Sequence, residues 1–253
     1  PSWIDYDEIS IAIENCNVLG VGFTAKDSNG GILGYLYDSN GATQSIEVTI
    51  LDCNVGSYNG IKTNMTTTNA DYTDLNAGIV AGLYESNNDG TCDINIGRCI
   101  VDEIEIKTAT GGISGIMGFI FSQSSVIPNI NIYECTVQNC NFEESEAGRN
   151  KGFYNNISGI LAGINDVVDI CITDCNVINN DFILINGDVG GIAANLLGDS
   201  NCTNILIDNC IVSNLDITYQ SNERDTLGLN AGGLVGYIRA TSDISNCEVR
   251  GIT

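Results

Sequence analysis

The stretch I-N-I-Y-E-C-T-V, residues Ile130–Val137, decides how this chain folds, because variants of its last six residues occur seven times. They read IENCNV (13–18), ILDCNV (50–55), IGRCIV (96–101), IYECTV (132–137), ITDCNV (172–177), IDNCIV (207–212) and ISNCEV (244–249). In most copies a further apolar residue stands two places before the Ile, as at Ile11, Val48, Ile94, Ile130, Ile170 and Ile205. Apolar residues at every second position mark a strand with one buried face. The motif cysteines, Cys16, Cys53, Cys99, Cys135, Cys175, Cys210 and Cys247, are spaced by 37, 46, 36, 40, 35 and 37 residues, a period near 38. Such self-similarity is the signature of a repeat architecture.

A second unit lies between successive Cys segments: Gly, then Ile or Leu, any residue, and Gly or Ala. It reads GILG (31–34), GIVA (78–81), GISG (112–115), GILA (159–162), GIAA (191–194) and GLVG (233–236). The small fourth position implies a bend or a close neighbouring coil, where a Cβ would clash. Asn, Gly and Asp are abundant between β-branched residues and supply the bends. One coil cannot bury its own apolar face, so coils must stack. The expected fold is all-β: a right-handed parallel β-solenoid (β-helix) of about seven coils, spanning residues 1–253 as a single domain. The column of motif cysteines is expected in its core, reduced, each acting as a small buried hydrophobe. A leucine-rich repeat would share the I-x-I-x-x-C-x-V segment but has a shorter period, and helical repeats need amphipathic helices that this sequence lacks.

The Gly-Gly-Ile/Leu-x-Gly unit resembles the GLUG motif of repeat regions in bacterial surface proteins and in secreted metallopeptidases that cleave immunoglobulin A. The resemblance is carried most closely by Gly31–Gly34, Gly112–Gly115 and Gly233–Gly236, while the units at 78, 159 and 191 end in Ala. It implies an extracellular β-helix with a role in surface presentation or adhesion, and it carries over no catalytic residue.

The distance from each motif Val to the next unit's Gly alternates: 13, 23, 11, 22, 14 and 21 residues. The underlying unit is therefore a pair of coils. The long versions, 56–77, 138–158 and 213–232, are expected to emerge along one edge as a ridge of loops, where solenoids commonly bind ligands. Tyr58, Tyr72, Phe142, Phe153, Tyr154 and Tyr219 are spread over these segments, and Glu143, Glu144, Glu146, Arg149 and Lys151 make the second the most charged. Aromatic faces beside carboxylates suit glycans, although such residues also anchor loops.

Lys and Arg number 9 against 32 Asp and Glu, a net charge of −23. That balance opposes nucleic acid, which is held by neutralising phosphates, and it disfavours anionic membrane surfaces. No apolar run approaches the ~20 residues a membrane-spanning helix needs. With no His in the chain, Ser-His and Cys-His nucleophile pairs are excluded. A pair of carboxylates on adjacent coils would remain sufficient for glycoside hydrolysis, but the expectation is no enzyme. The 11 cysteines are an odd number, and Cys92, Cys140, Cys171 and Cys202 stand outside the motif with no assignable pairing. Sequons at Asn64, Asn156 and Asn201 are candidate N-glycosylation sites. Acidic clusters at Asp5–Asp7–Glu8, Asp102–Glu103–Glu105, Glu143–Glu144–Glu146 and Asp166–Asp169 match neither an EF-hand nor the Asp-rich nonapeptide calcium repeat. No cofactor is expected, with Ca²⁺ at such clusters as the alternative.

Neither end shows a recognisable cap, so the expectation is a segment of a longer solenoid or an end-to-end stack of copies, unless Trp3–Ile13 folds over the first coil. The functional expectation is an extracellular, cell-surface structural or adhesive scaffold, whose partners are further copies of itself or surface glycans. A carbohydrate-binding module or a polysaccharide-active enzyme is the alternative.

Overall fold

The backbone turns a corner at every motif cysteine. The residue before it (Asn15, Asp52, Arg98, Glu134, Asp174, Asn209 or Asn246) has φ between 51 and 56°. Asn and Asp tolerate this left-handed conformation, while Arg98 and Glu134 occupy it at a cost of about 1–2 kcal/mol each. The Cys then fills the inside of the bend. Its Sγ donates to the carbonyl two residues earlier, at 3.3 Å in Cys53, Cys135, Cys175 and Cys210. Its own carbonyl accepts the backbone N–H of the next coil, as from Ile100 to Cys53 at 2.9 Å. A second corner follows four residues later, with positive φ at Gly20, Glu103, Asn139, Asn179, Asn214 and Gly251.

The computed structural model describes residues 8–26, 28–38, 45–68, 75–85, 91–108, 111–122, 128–145, 155–166, 168–197, 204–220 and 230–253. Every strand pairing in it is parallel and joins one coil to the next, which makes the chain a parallel β-solenoid. The first sheet has seven strands, running from Glu8–Glu14 to Thr241–Ser245. The second has eleven, because most coils contribute a short strand on each side of the second corner, such as Ile100–Asp102 and Ile104–Thr108. The third, from Asn29–Gly30 to Asn230–Gly232, and the fourth, from Leu33–Asp38 to Val235–Arg239, have six strands each. Because Glu8–Glu14 pairs in register with Ser45–Leu51, that part of Trp3–Ile13 is the first coil's strand and not a cap. Residues 1–7 lie outside the described residues.

In-register stacking turns the sequence motif into core columns. Ile50, Ile96, Ile132, Ile172 and Ile207 form one buried file, and Val55, Val101, Val137, Val177 and Val212 another. The bulkiest file is Met65, Ile106, Phe142 and Phe182, in which the two Phe rings stack at 5.3 Å. Each such side chain contributes roughly 1.5–3 kcal/mol on burial.

The Gly unit faces the Val file across the core. A Cβ on Gly31, Gly78, Gly159 or Gly191 would lie 2.3–2.8 Å from a methyl of Val55, Val101, Val177 or Val212, and within 2.6 Å of the next coil's glycine carbonyl. In the third coil the residue in this place is Gly115, on which a Cβ would lie 2.3 Å from Val137, with Met117 paired to Val80. The third unit is thus GIMG, 115–118, and the reading of 112–115 is out of phase by three residues. With Gly115 the third Val-to-Gly distance becomes 14 residues, matching the other short coils.

Most of the extra length of the long coils has a common location, but in the second coil part of it enters at the second corner, where Val55 to Met65 spans 10 positions against 5 from Val101 to Ile106. Segments 69–74, 146–154 and 221–229 lie outside the described residues, but each leaves the end of a second-sheet strand and returns at the start of a third-sheet strand. All three therefore spring from the same corner, on alternate coils.

Candidate functional site

Among the described residues, the aromatics of the long segments do not form a row. Phe142 is a core residue. Tyr219 is half-buried and its hydroxyl donates to the carbonyls of Gly187 and Asn230, both at 3.3 Å. Burial and the nearby Asp188 carboxylate push the Tyr219 hydroxyl up to about 12. Tyr58 stands exposed beside a short antiparallel bridge to Ile61. Tyr72, Phe153, Tyr154, Glu146, Arg149 and Lys151 lie outside the described residues.

A different aromatic row exists, which the sequence reading missed. Tyr35, Gly82, Phe119, Gly163, Asn195 and Tyr237 are successive register partners on the outer side of the fourth sheet. Aromatic and Gly alternate along the first four coils, and the rings lie against the glycines. A Cβ on Gly163 would meet the Phe119 ring at 2.4 Å, and one on Gly82 the Tyr35 ring at 2.8 Å. Phe121 lies beside Phe119, with ring centroids 4.5 Å apart. The signal was available as G-Y-L, G-F-I and G-Y-I at positions 34–36, 118–120 and 236–238, but only the register shows that these residues share one face.

The row adjoins a buried polar group on the outer side of the third sheet, where Asn156, Asp188 and Asn230 are register partners in three successive coils. Asp188 is 5% exposed. It accepts hydrogen bonds from Asn195 Nδ2 at 2.5 Å and Asn230 Nδ2 at 2.7 Å. Asn156 and Asn195 are 8% and 9% exposed, and the Oδ1 atom of each has no hydrogen-bond partner. Two further orphaned oxygens, Ser114 Oγ and Ser158 Oγ, occupy one register position on the same sheet. The sequon residue Asn156 is thus buried on the third sheet. Asn64 is exposed on the strand Thr63–Thr67, and Asn201 lies outside the described residues.

The motif cysteines Cys53, Cys99, Cys135, Cys175 and Cys210 are buried, while Cys16 and Cys247, in the first and last coils, are half-buried. All are free thiols, as are Cys140 in the core and Cys171 on the outer face of the first sheet, and Cys92 is buried in the core. Burial pushes Cys140 up to about 12 and raises Cys53, Cys171 and Cys247. Cys202 lies outside the described residues.

The acidic clusters are divided among neighbouring coils. Asp102 accepts from Asn139 Nδ2 at 2.9 Å, Glu103 from Ser57 Oγ, and Glu105 pairs with Lys62 at 2.9 Å. Glu143 pairs with Lys107 at 2.5 Å. Glu144 points inward, 1% exposed, and its Oε2 accepts the backbone N–H groups of Ile185 and Asn186. Asp169 accepts both the backbone N–H and the Nδ2 of Asn204. Among the described residues no three His, Cys, Asp or Glu side chains converge on one point. Asp5 and Asp7 lie outside the described residues.

Among the described residues, the strands of the first and last coils pair on one side only. Ile244 and Val249 in the last coil are 41% and 40% exposed, whereas Ile207 and Val212, their partners one coil below, are fully buried. In the first coil Ile11, Ile13 and Val18 are likewise only partly buried. Comparison with protein-family models, with curated proteins and with solved structures gives no match.

Proposed function

We propose that the chain is an extracellular structural scaffold whose solenoid extends by stacking copies end to end. The observation that carries this reading is the parallel register, unbroken from the first described coil to the seventh, in which each coil buries its apolar files only against the next and so offers a face that a further coil can continue. A row of unpaired N–H and C=O groups is a template for another strand, and Ile244 and Val249 offer the apolar files on which a further coil would sit. The resemblance to GLUG repeats supports a place at the cell surface. Electron microscopy of the chain over a range of concentrations tests the proposal. Filaments with an axial repeat near one rod length are expected, and discrete short rods at every concentration would overturn it.

The aromatic row favours a second reading, glycan binding. Tyr35 and Phe119 stand two coils apart, roughly 9.6 Å, a spacing suited to alternate sugar rings of an extended chain. Retention of the protein on insoluble β-linked glucan, weakened at least tenfold by Phe119→Ala, is the expected result. Equal retention of the variant would dismiss this reading.

A further inference from the structure

We propose that Asp188, with the side-chain oxygens of Asn156 and Asn195, forms a binding site for a hard cation, with Ca²⁺ the ion that fits. The inference is independent of the scaffold reading. An ionised carboxylate buried in a protein is costly unless a counter-charge or a full set of donors compensates it. Asp188 is 5% exposed and is met by two neutral amides. The four salt bridges of the described residues that engage Lys or Arg side chains involve Lys62, Arg98, Lys107 and Arg250, none of them with Asp188.

The surrounding atoms point to a cation. Asn156 is the register neighbour of Asp188, one strand spacing away on the same face of the sheet. Asn195 is bonded to Asp188 through its Nδ2. Both carry an Oδ1 with no partner, and both are more than nine-tenths buried. Orphaned buried acceptors are rare in folded proteins because each forfeits its hydration. Two of them, on side chains that neighbour one carboxylate, supply oxygen ligands, the chemistry of Ca²⁺. That ion accepts six to eight oxygens in flexible geometry at roughly 2.3–2.6 Å and can complete its shell with water. Mg²⁺ demands a nearly regular octahedron and loses its water reluctantly, which three oxygens from three different strands do not favour.

The competing occupant is an ordered water donating to both amide oxygens, and one substitution separates the two. Asn156→Asp places a second carboxylate one strand spacing from Asp188. Beside a cation it adds a ligand charge. Beside water it adds only repulsion and desolvation. The experiment is calorimetric titration of CaCl₂, with MgCl₂ as comparison, into wild type, D188N and N156D. It is run at physiological salt, where exposed carboxylates are screened. Expected are one saturable Ca²⁺ site in wild type, its loss in D188N, and at least tenfold tighter Ca²⁺ binding in N156D. If D188N fails to fold, N156D decides alone. Absence of a saturable site in wild type, an unchanged isotherm in D188N, or an N156D protein that binds no tighter would overturn the proposal.

Discussion

The two sequence motifs belong to one contact. A motif Val and the Gly of the preceding coil press together across the core, and the glycine is needed for close approach. A Cβ on Gly159 would lie 2.3 Å from Val177 Cγ2 and 2.6 Å from the carbonyl oxygen of Gly191. The second of these is backbone and cannot swing aside. Gly159→Ala should therefore cost at least about 1–3 kcal/mol, the range for overpacked cores. Gly34 gives the opposite case, since a Cβ there would meet nothing within 4 Å. Gly34→Ala should stabilise by about 0.4–1 kcal/mol through the unfolded chain alone. Urea midpoints of the two variants are expected to move in opposite directions. Equal shifts would show that glycine is retained for a reason other than space.

The strand-and-corner element was legible because its cause is local. Ile, Cys and Val recur at fixed offsets, and the turn before each Cys mostly uses Asn or Asp. The phase of the third Gly unit was not legible, because G-G-I-S-G-I-M-G, 111–118, contains two overlapping copies of the same pattern. Only the strand register, which pairs Met117 with Val80, and the close approach of Gly115 to Val137 choose between them. The Asp188 group was invisible for a similar reason: Asn156, Asp188 and Asn195 fall in no shared motif and meet only through strand register. The corners also predict a pH response. Burial raises the thiols of Cys53 and Cys140, the latter to about 12. A group with a raised folded pKa holds its proton more tightly when folded. Its contribution is therefore whole below the unfolded value, near pH 8.5 for Cys, and is lost as pH rises toward the folded one. Unfolding free energy should be flat from about pH 6 to 8 and fall from about pH 9 toward 12. Cys140→Ser, which keeps a donor for the Gln138 carbonyl but does not titrate in that range, should show a shallower alkaline decline from a lower baseline. An unaltered slope would assign the decline to other groups.

For the whole molecule, the alternation of short and long coils was legible as a count of residues, while the split of the second coil's extra length between two corners shows only in the strand register. Which faces are usable was not legible, because exposure depends on how four sheets enclose the core. At this scale charge competes with the open edges. Stacking two copies brings together chains that each carry a net charge of −23, and such repulsion opposes association over about a Debye length, ~30 Å at 0.01 M salt and ~8 Å at 0.15 M. The attraction at the edge is short-ranged, made of ladder hydrogen bonds and of apolar files that include Ile244 and Val249, and salt does not screen it. End-to-end assembly should therefore be weak at about 0.01 M NaCl and strengthen steeply through about 0.15 M. Light scattering across that series is expected to show rising mass in the wild type. Val249→Lys, which sets a charge in the unfinished Val file, should stay at the mass of one chain throughout. If mass instead falls as salt rises, opposite charges would be holding the copies together, and the open edges would not be the joint.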